Sequence, residues 1–315
     1  MTTVPTDMRL RNAGADLKAG AAWMRGRIMP IGEAAIPLND WGLIHSDITY
    51  DVVPVWDGAF FRLGLYVERF FRSMKSLRLD PGMNEAAVKT VLHDLVSATG
   101  LRRAYVAMVT SRGVNAVPGS RDPRDCRNHF FAWCVPYIHV IRPDIAQSGA
   151  SVHVARTVTR IPSSSVDPRV KNYHWGDFTQ GLFEAKDAGA ETVLLLDQQG
   201  NVTEGPGFNV FSIKNKRLVT PAAGVLEGIS RQTVLEISAE LGLETETRTL
   251  PLEELLQSDE VLISTSGGGV APITQIDDRL FSNGSPGELT TAIKERYFEW
   301  AGSPEYRTEV EYGAA

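Results

Sequence analysis

The thirty residues "TVLLLDQQGNVTEGPGFNVFSIKNKRLVTP" (192–221) limit the folds open to this chain more than any other stretch. Short apolar runs alternate there with Gln-Gln-Gly-Asn and Lys-Asn-Lys, the composition of tight turns. The stretch therefore reads as consecutive strands joined by hairpins. Strands joined this tightly pair antiparallel, which fits largely antiparallel sheets better than a regular alternation of strand and crossover helix. The same signal recurs earlier. "AAWMRGRIMPI" (21–31) reads as two short strands around Arg-Gly, and "YDVVPVWDGAFFRL" (50–63) as a hairpin turning at Asp57-Gly58.

Helices separate these sheets. "YVERFFRSMKSLRL" (66–79) places Val67, Phe70, Met74 and Leu77 at helical spacing. "NEAAVKTVLHDLVSATG" (84–100) does so with Val88, Val91 or Leu92, and Leu95, and closes on Gly100. Residues 102–113 and 129–141 are strand-like, and the polar "RPDIAQSGAS" (142–151) reads as the boundary between domains. Beyond it come a strand (151–157) and a helix over "DFTQGLFEAKDAG". A second helix begins near Ile229–Arg231, carrying Val234, Ile237 and Leu241 inward. A strand then enters the glycine loop of "STSGGG", and a closing helix covers "GELTTAIKERYFEWA". The expectation is a two-domain α+β protein with largely antiparallel sheets. It comprises an N-terminal arm (1–20), a smaller domain (21–144), a linker (145–151) and a larger domain (152–315).

The composition is that of an ordinary globular protein, 43% apolar and 22% charged over 315 residues. A net charge of −6 with no basic cluster excludes a general nucleic-acid or membrane-surface binder. Cys126 and Cys134 lie in no metal-ligand spacing, so neither a disulfide framework nor a metal site is expected. No apolar run approaches the roughly 20 residues a membrane helix needs, and the N-terminus lacks an apolar core. A soluble, cytoplasmic protein is the expectation.

Four places carry chemistry. In "DPRVKNYHWGD" (167–177) Lys171 stands between Val170 and Asn172, with Tyr173 and Trp175 beyond. Its ammonium either snorkels to water or, partly desolvated, loses its proton and attacks an aldehyde. In "NVTEGPGFNVF" Glu204 precedes Gly-Pro-Gly, where the backbone can approach a ligand. A buried glutamate needs a partner, and a pyridinium N–H is one that makes chemical use of it. "GVLEGISRQTV" opens a helix at Gly228, Ile229 and Ser230, where amides and the helix dipole attract an anion or Ser230 simply caps the helix. "STSGGG" offers Thr265, Ser266 and bare glycine backbone. Arg69, on the flank of its helix, supplies a compensating cation or a surface ion pair with Glu68.

A lysine, a buried carboxylate, two anion-binding turns and an arginine match the parts of pyridoxal 5′-phosphate. The ordered series "DPRVKNYHWGD", "EGPGFNVF", "GISRQTVLEI" and "TSGGGVAPI" resembles the class IV (fold type IV) PLP aminotransferases. That resemblance implies a two-domain, D-amino-acid-aminotransferase-like fold. It also implies an active site at the domain and dimer interface, and hence a homodimer. It implies Lys171 as the Schiff-base lysine and Glu204 as the partner of the pyridine nitrogen. Arg69, Ile229, Ser230 and Ser266 then form the phosphate cup, with Leu226 against the ring face.

Within the family, "IHSDITYDVVPVWDGAFFRL" (44–63) is similar to the (R)-selective amine transaminases. It implies a substrate pocket of His45, Tyr50, Val52, Tyr105, Trp175 and Thr265. The Tyr-x-Arg motif of branched-chain enzymes is replaced here by Tyr105 and Ala107. Losing that carboxylate clamp suits amines with aryl and methyl groups. Where some relatives carry an arginine for the keto-acid carboxylate this chain has Pro118, so either Arg112 or Arg121 substitutes or the carboxylate is held in another way. The expected reaction moves an amino group from a chiral primary amine to a 2-oxo acid such as pyruvate. Alternatives are a D-amino-acid or branched-chain aminotransferase, an aminodeoxychorismate lyase, or a PLP-free binding protein on the same fold.

Overall fold

The computed structural model describes residues 16–313. Most of the arm expected over 1–20 lies outside the described residues. Contacts divide the chain into two compact units. One takes the chain as far as Ile138, with Val170–Tyr173 and the segment from Pro304. The other takes His139–Arg169 and His174–Ser303.

The first unit is built on a seven-stranded sheet. Its strands are β1 (Ala21–Met24), β2 (Arg27–Pro30), β3 (Ile48–Trp56), β4 (Ala59–Phe61), β5 (Ala104–Asn115), β6 (Cys126–Pro136) and a final strand Arg307–Glu309. The order is Arg307–Glu309, β4, β3, β5, β6, β1, β2, antiparallel at every step. Both tight turns expected from sequence form: Arg25 and Gly26 (φ 52° and 79°) join β1 to β2, and Asp57 and Gly58 (φ 48° and 85°) join β3 to β4. Strand β6 ends at Pro136, earlier than the apolar run suggests, because proline offers no N–H to the ladder.

Helix α1 (Trp41–Ile44) precedes β3, and helices α2 (Leu63–Leu77) and α3 (Glu85–Thr99) cover one sheet face. They bury Tyr66, Val67, Phe70 and Met74 of α2, and Val88, Leu92, Leu95 and Val96 of α3. Alternation along the strands sends Ile48, Tyr50, Val52, Ala107 and Val109 to the opposite face, where Tyr105, Phe131 and Trp133 pack against them.

The second unit opens with α4 (Pro143–Ser148). The polar stretch read as a linker is thus a short helix, its first position held by Pro143, whose fixed φ suits a helix start. The strands are β7 (Ala150–Val154), β8 (Thr192–Leu194), β9 (Glu204–Gly205), β10 (Phe208–Lys214), β11 (Arg217–Pro221), β12 (Glu244–Arg248), β13 (Glu260–Thr265), β14 (Gly269–Ile276) and β15 (Arg279–Leu280). They form one nine-stranded sheet in the order β12, β11, β10, β13, β14, β7, β8, with β9 on β10 and β15 on β14.

The antiparallel expectation holds for β9–β10–β11 and β13–β14, but β11/β12, β14/β7 and β7/β8 are parallel. Helices α5 (Gly176–Asp187) and α6 (Ile229–Glu240) explain two of these pairings. Each returns the chain to the same end of the sheet before the next strand starts. Helices α7 (Leu252–Leu256) and α8 (Glu288–Gly302) complete the unit, and α8 packs against α6, β13 and β14. Among the described residues, no helix is long and apolar enough to cross a membrane.

Candidate active site

Lys171 belongs to the first unit, as part of the short segment Val170–Tyr173 laid along β3. Thr49 and Asn172 form an antiparallel bridge. The Lys171 carbonyl accepts from the Thr49 hydroxyl at 2.6 Å and the Tyr50 amide at 3.4 Å. Its own amide donates to Ser73 Oγ at 3.4 Å. The backbone is thereby fixed and only the side chain is left to move. Lys171 Nζ stands 4.5 Å from the centroid of the Tyr50 ring, and Tyr173 stacks on Tyr50 at 4.1 Å with planes 6° apart. The ring face attracts the ammonium and holds it over the strand.

Val52 continues this face, paired across the sheet with Ala107, as Tyr50 is with Val109. Tyr105 stacks on Trp133 at 5.4 Å. Burial, with smaller help from Tyr50 and Asp51, pushes the Tyr105 phenol well above its ordinary value, so it remains a neutral O–H donor. From Ile48 to Val52 and from Tyr105 to Val109, the residues on this face are Ile48, Tyr50, Val52, Tyr105, Ala107 and Val109, none of them charged.

Three sequence candidates in this unit lie apart from that face. His45 ends α1, is exposed, and sets its ring edge-on to Trp41 at 4.6 Å. Arg69 is not at the surface with Glu68. It is 2% exposed, and its Nε and Nη2 donate to the two Asp51 oxygens at 2.8 and 2.7 Å. Arg112 does not substitute for the arginine replaced at Pro118. Its guanidinium donates to both Asp47 oxygens, at 2.8 and 3.0 Å, and to the carbonyls of Leu77 and Arg78.

Glu204 lies in the second unit on β9, 5% exposed. Its Oε2 accepts from the Leu226 amide at 2.8 Å and from Asn209 Nδ2 at 3.4 Å. Its Oε1 accepts from Arg160 Nε and Nη2 at 3.3 and 3.2 Å. Arg160 also donates to Asp177 at 2.6 Å and lies over the Phe178 ring. A buried carboxylate costs several kcal/mol, on the order of the Born penalty after relaxation, unless charge and hydrogen bonds offset it. The Arg160 charge and the N–H groups of Arg160, Asn209 and Leu226 supply that offset, so Glu204 is held as an anion.

The two turns read from sequence as anion sites also belong to this unit. Helix α6 starts at Gly228, and no side chain caps it. Ser230 is not the cap: it lies inside the first turn, and its hydroxyl shares a 2.9 Å hydrogen bond with the Tyr297 hydroxyl. Gly228 suits the helix start, because a Cβ would crowd Asn209 Oδ1. The first amides of Ile229 and Ser230 therefore emerge at a buried helix start without a side-chain cap, the arrangement that favours a phosphate. Thr265 shapes the second turn. Its hydroxyl donates to the Gly207 carbonyl at 2.7 Å and accepts from the Gly267 amide at 3.0 Å, with Ser266 following at the turn. Trp175 starts α5, packs against Phe178 at 5.4 Å and approaches Gly207.

These donor sets fit pyridoxal phosphate group by group: an amine for the aldehyde, an anionic carboxylate for the pyridinium, and uncapped amides for the phosphate. Sequence reasoning missed Arg160, Asp177 and Asn209. Asn209 had a signal, a polar residue inside the apolar run "FNVF". Asp177 resembled an ordinary acid at a helix start, and Arg160 had no local signal at all.

A family model described as amino-transferase class IV matches residues 49–276. The D-alanine aminotransferase of Bacillus licheniformis is 28% identical over 278 residues, 85% of this chain and 93% of that protein. The branched-chain-amino-acid aminotransferase of Pseudomonas aeruginosa is 23% identical over 285 residues, 89% of this chain and 92% of its own. Among solved structures, the branched-chain amino acid aminotransferase of Thermobaculum terrenum in its PLP-bound holo-form superposes with a TM-score of 0.81 at 25% identity, covering 92% of this chain and 98% of that one. With the family model spanning most of its length, the chain belongs to the class IV aminotransferases, enzymes that work with pyridoxal 5′-phosphate.

Proposed function

We propose that this aminotransferase is an (R)-selective amine transaminase, moving an amino group from a chiral primary amine to a 2-oxo acid such as pyruvate. The observation that supports this reading is the uncharged face of Ile48, Tyr50, Val52, Tyr105, Ala107 and Val109 beside Lys171. A site that binds an amino acid sets a cation where the carboxylate lies, and Ala107 stands where branched-chain relatives carry that arginine. Apolar substituents on the donor carbon instead gain from burial against Tyr50, Val52 and Tyr105. The (R) preference rests on the resemblance of the stretch around His45, Tyr50 and Val52. With Arg112 held by Asp47, exposed Arg121 is the arginine we assign to the keto-acid carboxylate.

The cofactor supplies an electron sink for the pair released when the donor C–H bond breaks. Lys171 Nζ would hold the cofactor at its aldehyde, and the same amine would carry the proton from the donor carbon. Tyr50 keeps the lysine head over β3 while it does so. Glu204 keeps the pyridine nitrogen protonated, with Arg160 and Asn209 holding the carboxylate in place. Ile229, Ser230 and Ser266 would hold the phosphate, and Leu226 would support the ring; Arg69 keeps only the role that the family resemblance implies, its Nε and Nη2 being given to Asp51.

An amino-acid aminotransferase is the second reading, favoured by the names of the D-alanine and branched-chain relatives. A donor panel separates the two. Each enantiomer of 1-phenylethylamine is supplied with pyruvate, and D-alanine and L-leucine with 2-oxoglutarate. We expect kcat/KM for the (R)-amine to exceed every other donor by about tenfold, the equivalent of roughly 1.4 kcal/mol. Faster turnover of D-alanine or L-leucine selects the second reading.

A homodimer is part of the proposal. Leu38 just before α1, and Leu43 and Ile44 on it, are 86%, 54% and 52% exposed, apolar surface suited to a partner. Light scattering should give twice the 34.5 kDa chain mass, and Leu43→Asp should shift the species toward the monomer. A monomeric wild-type enzyme at micromolar concentration refutes it.

A further inference from the structure

Tyr297 has no assigned role in holding the cofactor, yet it meets the first turn of α6 and the strand residue Gly269 at the base of the glycine turn. It projects from α8, is 1% exposed, and its hydroxyl is 2.9 Å from Ser230 Oγ in the first turn of α6. The flank of the same ring lies against the other turn. A Cβ built on Gly269 would meet Tyr297 Cε1 at 3.1 Å and Phe298 Cζ at 3.0 Å, and Gly269 adopts φ 72°. Gly269 pairs with Thr265 as the last rung of the β13–β14 hairpin, directly beneath the turn Ser266–Gly268. One side chain therefore reaches the start of α6 through its hydroxyl and the base of the glycine turn through its ring.

We infer that Tyr297 is a positioning residue that fixes the spacing between the two phosphate-binding turns, and so sets affinity for the phosphorylated form of the cofactor. The inference rests on the reading of Ile229, Ser230 and Ser266 as the phosphate cup. The chemistry is local. A phosphate accepts hydrogen bonds from two turns at once only if their amides converge at one distance. The start of α6 is not braced by a capping side chain, since its N-cap is Gly228. A buried hydroxyl pair is well suited to this task, because a hydrogen bond lost in a dry environment is not replaced by one to water. The ring face explains Gly269 as well. Any larger residue would push the aromatic away from the hairpin and lengthen the gap the phosphate must bridge.

The test compares pyridoxal 5′-phosphate with pyridoxal, which lacks the phosphate. Both are titrated into the apo form of the full chain and followed by absorbance. Tyr297→Phe keeps the ring against Gly269 and removes only the hydroxyl. The expected result is about tenfold weaker binding of pyridoxal 5′-phosphate, with pyridoxal affinity changed by less than about twofold. Ser230→Ala should give the same selective loss. The double variant should be no weaker than the weaker single variant, because both remove one bond. Equal weakening of both compounds overturns the inference, since a general structural defect does not distinguish them. Unchanged affinity for both, or additive losses in the double variant, also overturns it. If wild-type protein binds pyridoxal as tightly as its phosphate, the phosphate-cup reading itself has failed, an outcome visible before any variant is made.

Discussion

Lys171→Ala should reduce amino transfer by a factor on the order of ten thousand, the upper range for loss of a positioned proton-transfer group. Two functions disappear together. Nζ is the amine assigned to hold the cofactor aldehyde, and it is the base assigned to the donor proton. The backbone anchors do not depend on the side chain. The Lys171 carbonyl still accepts from Thr49 and Tyr50, and its amide still donates to Ser73. The variant should therefore keep its fold and its thermal transition. Removing the ammonium from above Tyr50 costs only about 0.5–1 kcal/mol of cation–π attraction. The check is chemical: borohydride treatment of the wild-type holoenzyme should fix a cofactor-sized mass increment on the peptide carrying Lys171, and the variant should show none. An increment on another lysine, or activity within about a hundredfold of wild type, removes Lys171 from its role.

Much of this architecture was legible from local rules, and its failures have physical reasons. Asp57-Gly58 and Arg25-Gly26 form the turns read from them because positive φ is encoded by two residues alone. Helices α2 and α3 follow their apolar spacing, because a stripe that must be buried repeats every turn. The parallel pairs β11/β12 and β7/β8 were missed because strand direction depends on where a crossover helix returns the chain, a tertiary fact. The site divides in the same way. Lys171 and Glu204 are conspicuous because each is a charged residue set among glycine, proline or aromatic neighbours. Arg160 and Asp177 are not. Their roles exist only because they meet Glu204 across sequence separations of 44 and, through Arg160, 17 residues. Ser230 was open to a capping role because a serine at a helix start usually plays it. Gly228 takes that position instead, and Tyr297 receives the hydroxyl.

Glu204→Gln should lower turnover by about a hundredfold, comparable to removing one preorganised charge-stabilising group, while leaving the protein folded. Arg160 is the reason the fold survives. This guanidinium is shared between Glu204 and Asp177, all three groups at least nine-tenths buried. Glutamine preserves the shape, and its oxygen can still accept from Arg160 or from the Leu226 amide. Asp177 continues to neutralise the guanidinium, at 2.6 Å. No buried charge is orphaned, so the cost to stability is that of weakened hydrogen bonds, about 1–2 kcal/mol. An amide, however, does not hold a proton on a pyridine nitrogen, and the electron sink weakens just where the donor C–H bond must break. Arg160→Met makes the opposite change: it leaves two buried carboxylates without their cation, and the loss of about 3–5 kcal/mol should appear first in the thermal midpoint. Rapid mixing with a donor amine under single-turnover conditions reads the chemical step directly. If Glu204→Gln consumes the donor within about tenfold of the wild-type rate, the carboxylate is structural, serving the hydrogen bonds of Arg160, Asn209 and the Leu226 amide.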